Sequence, residues 1–233
     1  MLFDYPKSAA FGRVLPKNKI YEHANPSAAV KELFVRQVER IVWQYKLAPD
    51  TINLKETSFV PEIQIFSVTL KDGELKHDVL RCIDQAIPFP IFFELSFDGN
   101  IKAIAAFKRP SEADGSKWVI SDYFETAWFL SDEPRRPLPM AFDLEALYAH
   151  FLGPLMPYPA LIGEGLRARV ERMDQIRFKQ RELEKCEARL RKEKQFNRKV
   201  AINAELRNLK QELETMTRPL PVSGSAVTSK GRL

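Results

Sequence analysis

A chain of 233 residues with 45% hydrophobic content, 16 Phe and 29% charged residues holds material for one ordinary domain plus an appendage, not for two full domains. No run approaches the roughly 18 apolar residues of a membrane span. The N-terminal stretch also lacks a charged region followed by an apolar one, so a cytoplasmic chain without membrane contact is expected. The net charge of +5 is unevenly placed: residues 1–160 carry 18 Lys+Arg against 21 Asp+Glu, and residues 161–217 carry 15 against 10. A mildly acidic body with a basic appendage is the asymmetry of a nucleic-acid or acidic-partner binder, and equally that of a solvated charged helix.

In chain order, residues 1–24 are turn-rich, with Pro6, Gly12 and Pro16 as punctuation. Asn25-Pro26 reads as the start of a helix, because Asn caps well and Pro is tolerated at the first helical position. From Ser27 to Leu47 the residues Val30, Leu33, Phe34, Val38, Ile41, Val42 and Tyr45 make one apolar stripe, so a single surface helix ended by Pro49 is expected. The period then changes to two over Glu62–Leu70, which predicts a strand, and Lys71-Asp72-Gly73-Glu74 predicts a turn. His77–Ile87 reads as a short helix, and Ile91–Phe97, a hairpin turn at Asp98-Gly99-Asn100, Ile101–Lys108 and Trp118–Tyr123 read as a three-stranded meander. These elements predict an α+β domain over residues 1–130: a small, mostly antiparallel sheet of four strands with helices on one face. Residues 131–160 read as a proline-rich linker with a short helix, Phe142–Leu152, and residues 218–233 as a disordered tail.

Residues 161–217 read as a long charged helical arm. Ile202, Leu206, Leu209, Leu213 and Met216 alternate spacings of four and three, the a/d seam of a coiled-coil-like helix, and Met173, Ile176, Leu183 and Leu190 form a second seam. The two lose phase near Lys194–Lys199, so the arm either stutters there or folds back as a hairpin. Positive charge collects at that point in Arg189, Arg191, Lys192, Lys194, Arg198 and Lys199, interleaved with Phe196. Phosphate contacts need such a basic stripe, whereas Glu182, Glu184, Glu187 and Glu193 in the same turns fit i,i+4 pairing on a solvated helix. Lys17, Lys19 and Lys46 make a weaker basic group near Trp43 and Tyr45.

Little in the chain suggests catalysis. A metal-dependent nuclease needs clustered acids and a lysine from adjacent strands, and Glu62, Glu94 and Lys108 are the set that three strands would bring together. Acids and lysines also point outward from half-exposed strands with no such role. His23, His77 and His150 have no companions at ligand spacing, and Cys82 and Cys186 lie outside any CxxC motif and read as buried thiols. No GxxxxGK[ST] or GxGxxG is present. No metal and no cofactor are expected.

Three patches taken together, VWQYKLAPDTINL, LRCIDQAIPFPIFFEL and KEKQFNRKVAINAEL, resemble a bacterial family of unknown function with chains of about this length. Members are typically encoded beside helicases and DNA methyltransferases in restriction or phage-defence islands. The resemblance implies a cytoplasmic accessory component that acts with DNA-processing partners, and its third patch coincides with the phase break of the arm. The expectation is a non-enzymatic adaptor whose apolar seam docks a helicase-type subunit or its own copy, with the basic face near DNA. Direct DNA binding through the basic arm is the alternative, and the nuclease ranks third.

Overall fold

The computed structural model describes residues 2–114 and 117–218. The chain divides into two compact units, Met1–Pro157 and Tyr158–Leu233. The expected linker helix thus belongs to the first unit, and the expected tail beyond Arg218 lies outside the described residues.

The first unit holds β1 (Phe3–Asp4), β2 (Ala10–Val14), α1 (Lys17–Ala24), α2 (Ala28–Gln37), β3 (Val38–Leu47), α3 (Pro49–Ile52), β4 (Ile63–Leu70) and α4 (His77–Ala86). After these come β5 (Ile91–Phe97), β6 (Asn100–Pro110), β7 (Trp118–Glu125), β8 (Phe129–Leu130), β9 (Arg136–Pro137) and α5 (Leu144–Leu152). Seven strands form one sheet in the order β2-β3-β4-β5-β6-β7, with β8 on the flank of β6. All pairings in it are antiparallel except β4–β5, which the α4 crossover joins in parallel. Phe34, Val38, Phe66, Val68, Val79, Leu80, Ile83, Phe93 and Ile104 share the main core on the helical face. On the other face Phe92 meets Phe151 of α5, whose ring stacks on Phe3 at 4.7 Å.

The α+β class with a mostly antiparallel sheet is as expected, but the sheet has seven strands, not four. The added strands are β2, β3 and β8, and β3 lies in Ser27–Leu47, where the expected single helix is α2 followed by β3. Val38, Ile41, Val42 and Tyr45 satisfy a helical stripe, yet a β-branched and aromatic run with partners on both sides forms a ladder instead. Ser27, not Asn25, caps α2, accepting the Val30 N–H, while Asn25 closes α1 at φ 44°. Lys17 donates to the Phe34 and Val38 carbonyls at 2.9 and 2.6 Å, satisfying the last turn of α2. The expected turn at Lys71–Glu74 is present; Gly73 has φ +74°, and a Cβ there would lie 2.8 Å from the Phe97 ring.

The second unit is a helical hairpin of α6 (Leu166–Lys192) and α7 (Phe196–Thr217), which pack on each other. The phase break is therefore a reversal. At its base Arg172 grips Glu164 through two hydrogen bonds of 2.6 and 2.8 Å and donates to the Met216 carbonyl near the end of α7. The Arg172 guanidinium holds the Glu164 carboxyl below the ordinary glutamate value of 4.5. The stability this pair adds is complete above that ordinary value and is lost as pH falls through the lowered one. In acid titrations of hairpin helicity followed by circular dichroism, Glu164→Gln is expected to flatten the acid limb. An unchanged limb would contradict this assignment.

Candidate nucleic-acid interface

The hairpin turn is built by charge and capping. Glu193 follows the last residue of α6, and its carboxylate accepts the backbone N–H groups of Lys194 and Gln195 at 2.8 and 2.9 Å. The Gln195 N–H, the Lys194 N–H and the Arg198 and Lys199 charges hold its pKa below the usual glutamate range. It is the one acid among residues 191–200, against the five cations Arg191, Lys192, Lys194, Arg198 and Lys199, all exposed. None of those five has a carboxylate partner within the 4.0 Å of an ion pair among the described residues. Arg189 differs, because it closes on Glu205 at 2.6 Å across the hairpin. Lys210 and Lys179 likewise pair across it with Glu187 and Glu212. These three pairs set acids against bases along the shaft, whereas the tip sets five cations against one acid, so positive potential concentrates at the end of the hairpin.

Phe196 and Val200 stand one turn apart on α7, and 77% and 54% of their surfaces are exposed. Phe196 is an expected residue of this site; Val200 belongs to the third patch at the phase break, and its i,i+4 spacing from Phe196 marks the pair. The seam residues Ile202, Leu206 and Leu209 pack against Leu183, Cys186 and Leu190 of the same chain. Leu213 and Met216 are half-buried.

The structure does not bring Glu62, Glu94 and Lys108 together. Glu94 of β5 faces away from α4, where Arg135 holds it bidentately at 3.0 and 2.8 Å and also donates to the Phe3 carbonyl. Tyr5 beside it has its phenol pKa raised, first by burial and then by the Glu94 charge. Lys108 of β6 points to the opposite face, into the end of α4, donating to the Asp84 and Ile87 carbonyls with the Asp84 carboxylate 3.6 Å away. Glu62 accepts from the Gln64 amide, with Lys46 at 3.7 Å. Each of the three residues thus has its own structural partner. Among the described residues no group of three or more His, Cys, Asp or Glu is placed to hold a metal ion.

Fold and tip together define an α+β domain that carries a helical hairpin with a basic end. The chain belongs to the family described as a domain of unknown function (DUF4391), whose model matches residues 3–213. No curated protein and no solved structure matches it. No helix among the described residues is long and apolar enough to cross a membrane.

Proposed function

We propose that this chain is a non-enzymatic, cytoplasmic accessory component of a bacterial DNA-processing or phage-defence system, and that it touches nucleic acid through the tip of its hairpin. The observation that carries this reading is the set of five exposed cations at the turn with no carboxylate at ion-pair distance among the described residues, on a shaft where Arg189, Lys210 and Lys179 pair across the hairpin. Phosphate backbones select for such unneutralised Lys and Arg. The resemblance drawn from the sequence supports the DNA setting and the company of a helicase-type partner. The expected outcome is that the full chain raises the anisotropy of a short labelled DNA duplex at low salt. Combined Arg191→Glu, Lys192→Glu, Arg198→Glu and Lys199→Glu changes abolish the effect and leave the far-ultraviolet spectrum intact, because all four side chains are exposed. Binding retained by the reversed tip would sink the reading.

A second reading rests on Phe196 and Val200. Aromatic anchors beside Arg suit protein interfaces, so a protein partner, helicase-type or a second copy, would dock on the same tip. Phe196→Ser would then weaken partner capture and leave duplex binding unchanged. Capture unaffected by that change would remove this reading.

A further inference from the structure

Phe196 is the first residue of α7, and 77% of its surface meets solvent. Among the described residues no aromatic ring packs on it and no cation sits over it. The exposed Phe11 differs, being covered by Trp43 at 4.1 Å and by the Arg13 guanidinium. Val200, one turn along, extends the ring into a short apolar strip. At 3.6 residues per turn the two stand about 120° and 160° round the axis from the seam residue Ile202, on the side away from α6.

This strip lies inside the charged cluster. Arg198 and Lys199 fall between its two members in sequence, and Arg191, Lys192 and Lys194 approach from the end of α6 and the turn. A ligand that engages the whole tip must therefore present phosphates and a flat apolar face together. A duplex supplies the phosphates, but its bases cover one another and show only their edges in the grooves. A single strand supplies both, because each phosphate is followed by a base whose face is open to an aromatic side chain.

Resting on the phosphate contacts proposed above, we infer that the hairpin tip is a site for single-stranded nucleic acid, with an unpaired base stacked on Phe196. The neighbouring sugar lies against Val200, and the flanking phosphates meet Lys199, Arg198 and the cations of the turn. The contact asks for a base face and its phosphates, which DNA and RNA strands both offer.

The test is fluorescence anisotropy of the full chain with labelled strands of about twelve nucleotides: oligothymidylate, oligouridylate, and an abasic strand with the same phosphates and no bases. The wild type is expected to bind the better base-bearing strand about tenfold more tightly than the abasic one. Oligothymidylate in the lead assigns DNA, and oligouridylate assigns RNA. Phe196→Ala, at an exposed position, brings the base-bearing strands down to the abasic level and leaves abasic binding unchanged. Phe196→Tyr keeps the preference. Phe196→Leu loses it, because an apolar protein pocket accepts leucine whereas a base needs a ring face. Equal wild-type affinity for base-bearing and abasic strands, or a preference that survives Phe196→Ala, would overturn this inference and leave the phosphate contacts standing. Abasic binding that survives Arg191→Glu, Lys192→Glu, Arg198→Glu and Lys199→Glu combined would instead overturn the phosphate contacts themselves.

Discussion

Lys108→Met is expected to destabilise the first unit by about 3–5 kcal/mol at neutral pH, the usual result of removing one partner of a buried charge pair. Lys108 is 1% exposed, and its ammonium group ends α4 by donating to the Asp84 and Ile87 carbonyls. Around it Tyr123 donates to the Asp84 carboxylate. Tyr148 donates to the Ala106 carbonyl at 2.5 Å and accepts the Lys108 backbone N–H at 3.1 Å. The pair therefore ties α4, β6, β7 and α5 into one network. Burial pushes the Asp84 carboxyl up to about 6, against the opposing pull of Lys108. Because its folded pKa is raised, the stability Asp84 contributes is present in full below its ordinary value of 3.8 and is lost as pH rises through about 6. In Lys108→Met the carboxyl loses its counter-charge, so chemical denaturation should show a larger loss at pH 8 than at pH 5. Adding Asp84→Asn should recover the part due to charge and not the part due to the two open carbonyls. A Lys108→Met protein as stable as wild type at pH 8 would contradict the network.

Leu206→Asp is expected to open the hairpin. Leu206 is 6% exposed in a small cluster with Cys186 and Leu209, and a carboxylate there has no partner to compensate its burial. Helices of this kind gain most of their stability from the packed face rather than from propensity, so loss of the cluster frays both partners. Far-ultraviolet ellipticity should fall by a large share of the signal from the 27 and 22 residues of α6 and α7. Trypsin should then cut in the Lys- and Arg-rich turn. Arg207→Asp, one position away on the exposed side, should do neither. Unchanged ellipticity in Leu206→Asp would show that the seam does not hold the hairpin.

Much of this architecture was legible where period and punctuation agree. Asp98-Gly99 takes positive φ at both positions and forms the expected turn between β5 and β6. Asp143 caps α5, accepting the Ala146 N–H at 2.8 Å, one residue past the expected start at Phe142. At Val38–Leu47 two periods fit the same residues, and only the neighbouring strands decide between them. Glu62, Glu94 and Lys108 look like a set in the sequence because strand membership does not reveal the face a residue takes or the partner it meets. Asp84 and Arg135, which engage Lys108 and Glu94, are distant in the chain and carry no motif. The turn of the hairpin, by contrast, was visible as a phase break with clustered charge, because a lost heptad register and a run of cations are both local features.

The most direct test of the account is the salt dependence of duplex binding by the intact chain. Five phosphate contacts from the tip predict that log K falls with log salt at a slope of about −4.5, so affinity drops about 500-fold from 50 to 200 mM salt. Each single reversal among Arg191, Lys192, Lys194, Arg198 and Lys199 should reduce that slope by about 1. A flat salt dependence, or a steep one that survives reversal of all five, would show that the hairpin tip is not the surface that meets nucleic acid.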